Sequence, residues 1–83
     1  MFTNAVPLDP QDIQKLEAAL DPGWRVTLTS TEDGRPLVSI TRFNGEEPMA
    51  LWRKSDGDFR LVNYERDKEP HCGDLQAVIE HIF

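Results

Sequence analysis

The sequence is short of the features that usually announce a function. It has one cysteine, Cys72, so no disulfide can form within the chain, which fits a reducing compartment. No apolar run approaches the roughly 18–20 residues of a membrane-spanning helix. Met1 to Pro7 lacks the basic stretch and long apolar stretch of a secretory signal. Positive charge is scarce: nine Lys and Arg stand against fifteen Asp and Glu, a net charge of −6 with a pI near 4.7. That balance disfavours non-specific binding to nucleic acid or to an anionic membrane. The expectation is a cytoplasmic protein without membrane association or direct nucleic-acid binding.

Chemistry-bearing motifs are equally sparse. Gly34, Gly45 and Gly57 are isolated turn glycines, and none leads from a strand into a helix as a phosphate loop does. His71, Cys72 and His81 lack a zinc-ligand spacing, and His81 reads as a solvated surface histidine, so no metal is expected. No cofactor motif and no family signature is present. Cys72 beside His71 is the one pair that suggests a nucleophile, but neighbours in a chain rarely face each other, and no third orienting group is evident. No catalytic residues are assigned.

What is there is a fold. The 83 residues have room for one domain, 1–83, with one core. Leu8-Asp9-Pro10-Gln11-Asp12-Ile13 reads as a helix start, with Asp9 as N-cap, Pro10 in the first turn, and Leu8 and Ile13 placed for a hydrophobic staple. Ile13, Leu16 and Leu20 form an apolar stripe, and Asp21-Pro22-Gly23 ends a helix over residues 9–20. A second helix is expected over 74–82, capped by Asp74, with Leu75, Val78, Ile79 and Ile82 as its stripe and Phe83 at its end. Between them, three Gly-containing turns at Glu32-Asp33-Gly34, Asn44-Gly45 and Ser55-Asp56-Gly57 separate strands at 24–31, 35–43, 48–54 and 58–64. Residues 65–72 read as a charged connection.

Register follows from the turns. A three-residue loop ending at Gly34 puts Leu28 opposite Val38 and Val26 opposite Ile40. A two-residue Asn44-Gly45 turn puts Ile40 opposite Met49 and Arg42 opposite Glu47. A Ser55-Asp56-Gly57 loop puts Leu51 opposite Leu61. One face then carries Trp24, Val26, Leu28, Val38, Ile40, Met49, Leu51, Phe59 and Leu61. The predicted fold is α+β, in the order α-β-β-β-β-α. It is a four-stranded antiparallel meander, order 1-2-3-4, with both terminal helices packed mainly on one face.

That arrangement leaves the opposite face open, with Trp52 near its centre. Trp52, Arg60, Leu37, Val62, Thr29 and Arg25 are the candidate partner-binding residues, Trp and Arg being frequent interface anchors. The reading is a small acidic, non-catalytic protein-binding module of the kind that inhibits or neutralises a larger protein or nucleic-acid machine, as phage anti-defence and immunity proteins do. The acidic helical ends would suit a nucleic-acid mimic. A homodimeric accessory protein and a thiol-dependent enzyme using Cys72 and His71 are the alternatives. On this reading Trp52→Ala weakens binding by on the order of 2 kcal/mol and leaves the fold intact.

Overall fold

Strand pairing begins from the three hairpin turns, which are alike. In each, a glycine N–H closes on the carbonyl three residues back: Gly34 on Thr31 at 2.9 Å, Gly45 on Arg42 at 2.8 Å, Gly57 on Lys54 at 2.9 Å. The glycines adopt φ of 84°, 85° and 93°, the left-handed conformation that the third residue of such a loop requires. The first turn is braced by the Thr31 hydroxyl donating to Asp33 and by Arg35 Nε at 3.0 Å from Asp33. These two hydrogen bonds, Thr31's first, hold the Asp33 carboxyl below its ordinary value.

The computed structural model describes residues 5–20 and 22–82. The expected helix-ending Asp21, the terminal Phe83 and residues 1–4 of the leading segment lie outside them. The elements are β1 (Ala5–Val6), α1 (Pro10–Leu20), β2 (Trp24–Ser30), β3 (Pro36–Arg42), β4 (Met49–Lys54), β5 (Phe59–Asn63), β6 (His71–Gly73) and α2 (Leu75–Ile82). The expected meander is present as β2-β3-β4-β5, antiparallel throughout, but the sheet is larger than four strands. β6 adds to β5, with Leu61 opposite His71 and Phe59 opposite Gly73. β1 adds to β4, with Val6 opposite Arg53 and Ala5 opposite Lys54.

Pro36 supplies the reason that β1 is needed. Thr31 N–H bonds Arg35 O, so alternation makes Ser30–Pro36 a pair whose backbone groups point away from each other. An amide at position 36 would therefore point toward β4, and proline has none. The β3–β4 ladder ends at Val38–Leu51, and β1 pairs with the part of β4 left over. Both added strands are too short, at two and three residues, to carry a periodic signal.

The registers Leu28–Val38, Val26–Ile40, Ile40–Met49 and Leu51–Leu61 are all observed, but Arg42 is not opposite Glu47: its N–H bonds Glu46 O. The second hairpin reaches its register by a different route. Its loop is Phe43-Asn44-Gly45, closed by Arg42 N–H on Glu46 O at 3.0 Å, and not a two-residue turn. That shifts the pairing by one residue. Glu47 then sits at φ 52°, a bulge residue that restores the register before Met49. Arg42 holds it there through a 2.7 Å ion pair, and Arg66 stands 3.9 Å from its other oxygen.

One core cluster contains Leu16 and Leu20 of α1, Leu75, Val78, Ile79 and Ile82 of α2, and Trp24, Val38, Ile40, Met49, Leu51, Phe59 and Leu61 from the sheet. Both helices thus cover one face. Asp74 caps α2, its carboxylate accepting the Ala77 N–H at 2.8 Å. Asp9 precedes α1 and its carbonyl accepts the first helical bonds from Asp12 and Ile13. Its carboxylate turns instead to Arg53 Nη1, 3.3 Å away, and links the helix start to β4.

The opposite face is not the open platform that the sequence suggested. Trp52 is 1% exposed, and Ala50, Trp52 and Val62 form a second core joined by Ala5 and Leu37. Met49-Ala50-Leu51-Trp52 is buried at every residue because β4 has a core on each side. Trp52→Ala should therefore cost about 3–5 kcal/mol of folding stability, a large share of what so small a domain has. Guanidinium unfolding would show the loss. An unchanged midpoint would contradict the burial.

Candidate functional site

The six residues proposed as a partner surface divide in the structure. Trp52 and Val62 are buried in the second core, and Leu37 packs against it. Arg60 stands opposite Trp52, as the register required, but its guanidinium is 3.5 Å from Asp58 and 3.3 Å from the Phe59 carbonyl. Arg25 and Thr29 are on β2 and exposed. The two fully exposed members of the set thus share one strand, at the edge of the sheet.

Cys72 and His71 separate as strand neighbours do. β6 alternation puts His71 on the helix-covered side, opposite Leu61, and Cys72 on the other side, opposite Arg60. Cys72 is an exposed free thiol. Among the described residues no group of three or more His, Cys, Asp or Glu is placed to hold a metal ion.

His81 is not a free surface histidine. Its ring stacks on His71 with centroids 4.1 Å apart and planes parallel. Its Nε2 lies 3.1 and 3.3 Å from the two Asp67 oxygens. Asp67 also accepts the Asn63 N–H at 2.9 Å, and Arg66 reaches the Ile82 carbonyl at 3.5 Å. Asn63 is fully buried. Its Oδ1 accepts the Glu65 N–H, while its Nδ2 has no partner among the described residues. The 64–70 connection is thereby fastened to the end of α2. No local pattern foretold this, because the pieces come from β5, the connection, β6 and α2.

The edge strand has the geometry of a docking site. β2 is seven residues long, starts the sheet order, and pairs only with β3 among the described residues. The alternation argued above turns the N–H and C=O groups of Trp24, Val26, Leu28 and Ser30 outward. Natural edges are usually blunted by lysine, proline or an inward-pointing charge. Trp24-Arg25-Val26-Thr27-Leu28-Thr29-Ser30 carries none of these on its outward-bonding positions. Leu28 belongs by register to the core face but is 64% exposed, and Phe43, beside the start of the strand, is 60% exposed. An open groove of about 620 Å³ runs between α1 and the first half of β2, lined by Gln14, Glu17, Leu20, Trp24, Val26 and Phe43. Exposed threonines and one leucine in a strand are ordinary in sequence. What marks them is that, among the described residues, nothing pairs with the outer edge of the strand.

Compared with family models, with curated proteins and with solved structures, the chain has no significant match in any of the three. Among the described residues no helix is long and apolar enough to cross a membrane.

The Asp67 clamp yields a pH prediction. Burial, the largest single influence, raises the Asp67 carboxyl. The Asn63 N–H, His81 and the Arg66 charge together outweigh it, so the group lies below its ordinary value of 3.8. A depressed carboxyl stabilises the fold above its unfolded-state value, and the contribution disappears as pH falls through the folded value. Asp67→Ala should cost on the order of 1–3 kcal/mol at neutral pH. The gap from wild type should begin to narrow below about pH 4, and denaturant titrations at pH 7 and pH 3 would measure it.

Proposed function

We propose that this protein is a non-catalytic protein-binding module that engages its partner by strand addition at β2. The observation that carries the reading is the unpaired outer edge of Trp24–Ser30, seven residues with four outward-turned backbone positions. In strand addition the main-chain hydrogen bonds supply affinity, and alternate side chains entering flanking pockets supply selectivity. The groove beside α1 offers such a pocket on the helix side, lined by Leu20, Trp24 and Val26. A smaller apolar one, lined by Leu8, Ile13, Leu28 and Leu37 among others, lies toward the other end of the strand.

The reading keeps the class inferred from sequence and moves its surface. Arg25 and Thr29 stay in the site, and Trp52 becomes the packing that keeps the sheet rigid behind it. The opposite directions of His71 and Cys72 favour binding over thiol chemistry. Inhibition or neutralisation of a larger machine remains a natural use for an acidic module of this size.

Leu28→Pro tests the reading. The Leu28 N–H points away from β3, so proline there removes an outward donor and leaves the β2–β3 ladder whole. Leu28→Lys is the companion variant, since an exposed lysine cannot harm the core. Both should fold as wild type by circular dichroism and lose partners retained by the immobilised wild-type chain. Arg60→Glu, on the far face, should retain them. Undiminished capture by both Leu28 variants would remove β2 from the site.

A further inference from the structure

We infer that the strand added at β2 is β2 of a second copy of this chain, antiparallel, with Thr27 on the two-fold axis. This rests on β2 being the binding edge, and it names the occupant.

The outward-turned residues are Trp24, Val26, Leu28 and Ser30, spaced evenly about Thr27. A two-fold axis through Thr27 therefore sets each of them opposite another outward-turned residue: Trp24 opposite Ser30 of the second copy, Val26 opposite Leu28. All seven residues are used, and four hydrogen-bonded pairs give about eight inter-chain bonds. Shifting the axis by one position, to Val26 or to Leu28, leaves one end of the strand overhanging.

Side chains agree with that register. Strand alternation keeps the even-numbered residues of both copies on the helix-covered face. Leu28, the one residue of the core-face set left in solvent, comes to lie against Val26 of the other copy. It enters at the groove lined by Leu20, Trp24 and Val26, which is open in the single chain. On the other face Thr27 meets Thr27, and Arg25 meets Thr29. Charge is arranged to suit: Arg25 is near the start of β2, and Glu32 and Asp33 follow its end, Asp33 being paired with Arg35 and Glu32 leaving that end net acidic. Antiparallel pairing brings Arg25 of each copy to the end that carries Glu32 and Asp33 of the other. A parallel arrangement would put like ends together. The product is a continuous sheet of two five-stranded paths with both helix pairs on one side.

Two measurements on the full chain test this. Sedimentation velocity over about 1–200 µM should show a monomer–dimer equilibrium, shifted at least about 10-fold toward monomer by Leu28→Lys. The second uses single cysteines in a Cys72→Ser background. Thr27 forms a non-hydrogen-bonded pair with itself, where Cα atoms lie about 4.5 Å apart, inside the range a disulfide can bridge. Thr27→Cys should oxidise to a covalent dimer, while Thr29→Cys, which faces Arg25, should stay reduced under the same conditions. A chain that stays monomeric throughout, a dimer indifferent to Leu28→Lys, or cross-linking at position 29 in preference to 27 would overturn the proposal. Monomeric wild type whose capture of another protein is still lost in Leu28→Pro would remove the second copy as occupant and leave strand addition standing.

Discussion

The structure hangs on β4. It is the strand with a core on each side, and every other element is placed with respect to it: β3 and β5 beside it, both helices over one face, the small Trp52 cluster on the other. Because Met49, Ala50, Leu51 and Trp52 are all buried, β4 tolerates no slip. One residue of shift would exchange Met49 and Leu51 for Ala50 and Trp52 between two cores of different size. The strand is also where the chain runs short of backbone partners. Pro36 cannot donate toward it, and β1 takes the place that β3 vacates.

The second hairpin shows how firmly that constraint acts. Its loop is one residue longer than Asn44-Gly45 suggests, and the surplus is absorbed at once by Glu47 in a conformation that non-glycine residues rarely adopt. Two ionic contacts, to Arg42 and Arg66, hold the bulge, and Arg66 in turn reaches the end of α2. Core registry decides and the turn accommodates. The Asp67–His81–His71 cluster is a second fastening of the same kind, closing the charged connection against α2 through side chains that sequence separation hides.

Binding is read from the part of the sheet that β4 does not reach. β2 lies two strands from β4, at one end of the path, and burial decreases outward until Leu28, a core-face residue by alternation, stands in solvent. An edge of that length with no blunting residue at its outward-bonding positions is a liability in isolation and a binding element in a complex. The proposed site therefore follows from where the sheet ends, and not from any side-chain motif.

The sequence by itself determined the order of the long elements, both helices, the four long strands, and the register within those strands. Each of these rests on local periodicity and on glycine turns that report their own geometry. It also held an unused sign of the second core, since four consecutive apolar residues in β4 are the pattern of a strand buried on both faces. Only the tertiary structure decided the rest. The two short strands exist because neighbours offer free backbone groups. Trp52 is buried because Ala5 and Leu37 arrive from elsewhere in the chain. His81 is clamped because β5, β6 and the connection meet at α2. β2 is an edge because nothing among the described residues pairs outside it. All four are facts about which distant segments meet, and periodicity carries no information about that.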